Sequence, residues 1–147
     1  MEEFIRELGE DFCLDNYIIK DSEVIFKISS TKLEMRCPYC GELSRKVHST
    51  YQREVQDLPL QNKKTILLVK TRKFICSNPA CSKKTFSERL PFVDTKGKKT
   101  YRLENSIIYT STQLSSINAS KILRAGGIDV CKSSICSLLK KNAVNCG

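Results

Sequence analysis

Cys37-Pro38-Tyr39-Cys40-Gly41 and, beyond a long β-branched stretch, Cys76-Ser77-Asn78-Pro79-Ala80-Cys81 set the reading of this chain. The first is a C-x2-C knuckle, a spacing at which the intervening turn directs two sulfurs toward one tetrahedral zinc. Gly41 relieves crowding where the chain reverses and backbone N–H groups approach the sulfurs. The second is a C-x4-C loop with its own turn residues. Two turn-borne pairs separated by a hairpin follow zinc-ribbon logic: each knuckle tops a hairpin and the metal joins them. Cys37, Cys40, Cys76 and Cys81 are therefore the expected ligands of a structural Zn2+. Four thiolates close the coordination shell and leave no position for water activation. Buried free thiols or a redox pair are the competing readings, but redox C-x-x-C motifs sit near a βαβ pattern, which this sequence lacks. His48, the only histidine, is a spare nitrogen donor that four cysteines make unnecessary. Cys13, Cys131, Cys136 and Cys146 have no partner at ligand spacing. Cys131 and Cys136, five apart, do not stack on one helix face.

The pattern around the knuckles supplies the hairpins. The best strand covers residues 65–75, a basic, β-branched run that leads directly into Cys76. Residues 17–20 and 24–29 alternate apolar with polar and read as strands joined by a turn at Asp21-Ser22. Residues 32–36 extend pairing into the first cysteine pair, and Val47, Tyr51 and Val55 suggest a further short hairpin. Ahead of these, Phe4, Ile5, Leu8 and Phe12 recur at helical spacing, with Gly9 a candidate cap after Leu8.

The period then changes. Asp94-Thr95-Lys96-Gly97-Lys98-Lys99 has linker composition. Leu103, Ile107, Ile108 and Leu114 follow at helical spacing, then Ile117, Ile122 and Leu123. After the Gly126-Gly127 break come Ile135, Leu138 and Leu139. The expected architecture is α+β: a β-rich zinc-ribbon domain over residues 1–93, a linker over 94–99, and a helical helix-turn-helix domain over 100–147. Residues 103–114 form the supporting helix, and 115–125 and 131–141 form the helix-turn-helix, whose last helix enters a major groove. A turn of about 100° per residue sets Ser133, Ser137, Lys140 and Lys141 opposite the apolar face of Ile135, Leu138 and Leu139. Hydroxyls and ammonium groups there suit base edges and phosphates.

Composition narrows the function classes. A chain of 147 residues has no room for a large catalytic machine. Its 25 Lys and Arg against 16 Asp and Glu leave a formal charge of +9, which favours polyanionic partners. Residues 1–30 carry a net −5, residues 31–100 a net +10 and residues 101–147 a net +4. Four thiolates and one zinc contribute −2 together, which brings the total nearer +7. No apolar run approaches the roughly 18 residues that span a bilayer, and the acidic N-terminus lacks the features of a signal peptide. A cytoplasmic location without a membrane partner is expected. Nor do paired carboxylates sit near a Ser, His or metal motif, so neither a catalytic residue nor a small-molecule substrate is expected.

Further residues join the cysteines in one pattern: the Asp57-Leu58-Pro59 step, the basic strand ending Arg72-Lys73-Phe74-Ile75-Cys76, and Lys84-Thr85-Phe86-Ser87-Glu88-Arg89-Leu90-Pro91. With these, residues 37–92 resemble the N-terminal zinc finger of the ISL-type insertion-sequence transposases of bacteria. In that family a helix-turn-helix follows the finger. Residues 100–141 are similar in order and length, so the resemblance extends over roughly residues 1–141. It implies binding of double-stranded DNA, in the form of the element's terminal inverted repeats. The family's catalytic acids, which hold metal and cut and join DNA, match no position here, so none is carried over. The chain is expected to be the DNA-binding N-terminal part of such a transposase, truncated or separately encoded and without enzymatic activity.

On this reading Arg72, Lys73, Lys83, Lys84 and Arg89 contact phosphates, while Lys132, Ser133, Ser137, Lys140 and Lys141 serve the helical tail in the groove. Two other readings stay open. One is a regulatory protein that pairs with a full-length transposase through the acidic head and its Phe4, Ile5, Leu8, Phe12 stripe. The other is an RNA-binding zinc ribbon.

Overall fold

The computed structural model describes residues 2–114 and 116–145, without the side chains of Ser116 and residues 142–145. Met1, Ser115, Cys146 and Gly147 lie outside the described residues, and with them the reading of Cys146 as an unpartnered thiol. The elements in chain order are α1 (Glu2–Arg6), β1 (Phe12–Ile19), β2 (Glu23–Ser30), β3 (Met35–Arg36), β4 (Leu43–Ser44), β5 (Val47–Leu60), β6 (Lys63–Ile75), β7 (Thr85–Ser87), α2 (Tyr101–Gln113), α3 (Ser116–Ala125) and α4 (Lys132–Asn145). The fold is α+β, as expected. Strands run in the order β1-β2-β6-β5, with β7 also paired to β6, and β3 and β4 form a separate two-stranded sheet.

Contacts divide the chain into two units that do not follow one another in sequence. The first comprises Met1–Tyr17, Phe26–Glu54 and Leu67–Pro91; the second comprises Ile18–Ile25, Val55–Ile66 and Phe92–Gly147. The long strands β5 and β6 contribute residues to both. The expected boundary after residue 93 lies close to the Pro91/Phe92 division, but two earlier segments also group with the helices.

In the first unit, β2 alternates as a half-buried strand should, with Phe26 and Ile28 turned into the core and Lys27 and Ser29 only partly covered. Ile5, Leu8, Phe12, Leu67 and Val69 are buried with them, and the Phe4 ring lies 5.9 Å from that of Phe26. Phe12 does not prolong the α1 stripe. It opens β1, and its ring lies close enough to Gly9 that a Cβ there would meet it at 3.1 Å.

The hairpin expected over residues 47–55 is instead the first half of one 14-residue strand, β5. That strand turns into β6 at Gln61-Asn62, both in the left-handed region with φ of 51° and 61°. Two consecutive left-handed residues make the tight turn whose twist matches paired strands. Pro59 within β5 is tolerated because β5 is the last strand of its sheet.

In the second unit, Leu103, Ile107, Ala119, Leu123, Ile128, Val130 and Ile135 form one buried cluster, flanked by Leu58, Leu138 and Leu139. Thr100 starts α2 by accepting the Leu103 N–H and donating its hydroxyl to Asp57. Asp57 is fully buried and also receives the Arg102 guanidinium on both oxygens. Residues 94–99, expected as a linker, are held in place. The Gln56 N–H donates to the Lys98 carbonyl, and the Thr100 N–H donates to that of Gln56. Polar, Gly-containing composition marked the turn here, while the bonding to β5 is tertiary. Gly127, at φ 97°, ends α3 where a Cβ would meet the Asn62 carbonyl oxygen at 2.8 Å.

Candidate metal centre and nucleic-acid interface

Each cysteine pair sits on a turn that its own backbone bonds define. In the first knuckle the Gly41 N–H donates to the Cys37 carbonyl and the Cys37 N–H to that of Glu42. Gly41 takes φ 82°, which a side chain would strain. This knuckle tops the β3–β4 hairpin, paired Met35↔Ser44 and Arg36↔Leu43. The second tops the β6–β7 hairpin, whose register is Lys73↔Ser87, Phe74↔Phe86 and Ile75↔Thr85. There the Cys81 N–H donates to the Asn78 carbonyl and the Asn78 side chain accepts the Ala80 N–H. The Ser77 hydroxyl donates to the Leu43 carbonyl, which bonds the second knuckle to β4 of the first hairpin. Beneath them Phe74 and Phe86 stack at 5.6 Å beside buried Cys37.

This arrangement brings all four expected ligands together. Their sulfurs lie within 4.8 Å of one another, with Cys37 and Cys81 at 3.9 Å and Cys40 and Cys76 at 3.5 Å. A tetrahedral zinc with Zn–S near 2.3 Å requires sulfur separations of about 3.8 Å. The donor set therefore fits structural zinc and closes its shell with sulfur alone. His48 is exposed on β5, hydrogen-bonded to Ser49, and is not in the cluster.

The thiols differ in acidity. The Glu42 backbone N–H, helped by hydrogen bonds from Cys76 and Asn78, brings Cys40 down to about 7. The Asn78 N–H acts in the same sense on Cys76, but desolvation and the neighbouring thiols push it up to about 12. Cys81 is also raised, by desolvation and Cys40 against the Lys83 N–H. One proton leaves easily, and the metal must displace those held by Cys76 and Cys81.

The expected DNA contacts are placed unevenly. The Arg72 guanidinium pairs with Glu88 at 2.7 Å, donates to the Lys32 carbonyl and lies 5.0 Å over the Phe74 ring. Glu88 is almost wholly buried, so Arg72 neutralises a carboxylate within the fold. Lys73 is half-buried on β6. Lys83, Lys84 and Arg89 are exposed, Lys83 lying 5.9 Å over the Tyr39 ring. On α4, Ile135 is buried while Lys132, Ser133, Ser137 and Lys140 are exposed. Lys141 is exposed but tied to Asp94 at 2.8 Å and Glu104 at 4.0 Å. Asp94 raises the Lys141 pKa, and burial raises that of Glu104. Cys131 precedes α4, where the Ser133 and Ser134 hydroxyls and the Ser134 N–H bring its thiol down to about 6.

Charge follows the units. The first holds thirteen basic and ten acidic side chains, a net of +3 that a zinc–thiolate centre brings nearer +1. The second holds twelve basic and six acidic, a net of +6. The acidic residues 1–17 group with the cysteines and cancel much of the basic middle segment. Positive charge is thus concentrated with the helices. Lys98 and Lys99, passed over as linker residues, belong to that unit, and only their Lys-Gly-Lys-Lys composition signalled them. The apolar stripe of the acidic head is used internally, with Ile5, Leu8 and Phe12 buried.

Among the described residues no helix is long and apolar enough to cross a membrane. Residues 33–85 match the family model described as the zinc-finger of transposase IS204/IS1001/IS1096/IS1165, and α2, α3 and α4 lie outside that match. No curated protein and no solved structure matches the chain.

Proposed function

We propose that this chain is a zinc-dependent module that binds double-stranded DNA, and that it serves an insertion-sequence transposase by recognising the element's terminal repeats. The observation that carries the reading is the Cys37, Cys40, Cys76, Cys81 centre within a segment shared with the zinc finger of such transposases. Zinc supplies a rigid tetrahedral joint when bound. The protein's part is to hold two knuckles on two hairpins so that the sulfurs converge. The net +6 of the helical unit supports a polyanionic partner. In this reading α3, the turn over residues 126–131 and α4 act as the helix-turn-helix. Ser133, Ser137 and Lys140 on the exposed face of α4 meet the major groove, and Lys83, Lys84 and Arg89 add phosphate contacts from the zinc unit. Recognition, not strand transfer, is the role assigned to these residues, within the cytoplasm.

Fluorescence anisotropy of the zinc-loaded protein with a labelled duplex tests this. Affinity should fall as salt rises, with a log–log slope of about −3 to −5 for several phosphate contacts. RNA of the same length should compete poorly. A salt-independent association, or a preference for RNA, would overturn the proposal. Chromatography with a full-length transposase in the absence of DNA should show no complex; a stable one would favour the regulatory reading.

A further inference from the structure

We propose that residues 94–99 form a phosphate clamp: Lys98 and Lys99, facing Ser137 of α4 across a groove, hold one backbone phosphate of the same duplex. This rests on the DNA-binding reading above and adds a contact from outside the helices.

The groove has a volume of about 330 Å3; Lys98, Lys99, Lys141, Ser137 and Leu138 line it together with the Glu104 carboxylate and the first serines of α4. Its two walls are fixed. On one side the main chain at Lys98 and Thr100, flanking Lys99, is bonded to Gln56 of β5. At the other, the Lys141 ammonium and the Tyr101 hydroxyl both donate to Asp94, which ties the start of the segment to α2 and α4. A site with fixed walls loses little conformational entropy when an anion enters.

The charges in the groove are not equivalent. Lys141 is balanced by Asp94 and Glu104. Lys99 lies within the field of the Glu104 carboxylate, whereas the Lys98 ammonium has no ion pair among the described residues. The charge of Lys98 therefore faces the exposed Ser137 hydroxyl. A phosphodiester offers only acceptors, and this groove presents three ammonium groups and the Ser137 hydroxyl against one carboxylate, Glu104, which Lys141 balances. No aromatic ring is among the lining residues, so nothing there stacks an unpaired base. A phosphate whose base remains within the duplex fits this chemistry better than a nucleotide or a single strand.

The test compares the full-length, zinc-loaded protein with its Lys98→Gln/Lys99→Gln variant by duplex anisotropy across salt, with circular dichroism confirming an unchanged fold. The variant should bind about tenfold more weakly at low salt. Its log–log slope should be shallower by about 1, and the loss should be equal for terminal-repeat and scrambled duplexes. Equal affinity and slope for variant and wild type, with wild type binding duplex, would overturn the clamp alone. Failure of the wild-type protein to bind duplex would overturn the DNA-binding reading and the clamp with it. Inorganic phosphate titrated calorimetrically should show no binding below millimolar concentration. Micromolar binding that the variant loses would mark a free-anion site and overturn the duplex assignment.

Discussion

The two units of this molecule are held together by different physics. In the zinc-bearing unit two short turns converge four sulfurs, and the aromatic pair Phe74 and Phe86 lies beneath them. In the helical unit seven buried apolar residues and the buried Asp57–Arg102 pair do the organising, with no cluster of metal-binding side chains among the described residues. Charge divides the opposite way, at +3 and +6. Coordination can fix a small, weakly cored segment in place, whereas a helical cluster with an ordinary core leaves its outer face free to carry lysines. The metal is therefore a matter of shape, and the net positive charge is concentrated elsewhere.

Zinc removal should break this comparison most visibly. Structural zinc in small domains contributes an apparent ~10 kcal/mol or more at neutral pH. A strong chelator, or Cys76→Ser, should abolish amide protection in β3, β4 and β7 while α2 and α3 stay helical by hydrogen exchange. Zinc content should also depend on pH. Because Cys76 and Cys81 hold their protons more tightly than ordinary thiols, binding should strengthen as pH rises and be lost on acidification. Retention of full protection after chelation would assign the first unit's stability to its apolar core alone.

Asp57→Ala should produce the next largest effect, in the other unit. It strips Arg102 and Thr100 of their shared, fully buried partner and should cost about 3 kcal/mol. Urea unfolding should show the loss with zinc content unchanged. A variant that also lost zinc would show that the units depend on one another. Smaller again is Gly127→Ala. It places a Cβ 2.8 Å from the Asn62 carbonyl oxygen at a left-handed φ and should cost about 2 kcal/mol. Its midpoint shift in urea should come without change in the denaturant slope.

How much of this was legible in the sequence depends on whether the signal is local. Cys37, Cys40, Cys76 and Cys81 could be paired from spacing alone because each pair sits on its own turn. β6 was visible because the face carrying Thr65, Leu67, Val69 and Thr71 is buried throughout, within a run rich in β-branched and apolar residues. The helices of the second unit followed from apolar periodicity, and Ile135 is buried where that periodicity put it. β5 was not visible as one strand. Its first six residues are exposed and Pro59 interrupts it, so only the partner strand explains its 14-residue length. The turn at Gln61-Asn62 lacks the glycine that marks such turns. The pairing of Arg72 with Glu88 was not legible because the two lie sixteen residues apart. The split of basic charge between units depends on which segments pack together, which local pattern does not carry.

The metal's role can be tested at the metal itself. X-ray absorption at the zinc edge of the purified protein should show one zinc per chain with four sulfur neighbours at about 2.3 Å and no nitrogen shell. A mixed shell with an imidazole nitrogen would bring His48 into the centre. Stoichiometric protein without zinc would contradict the metal-held unit outright.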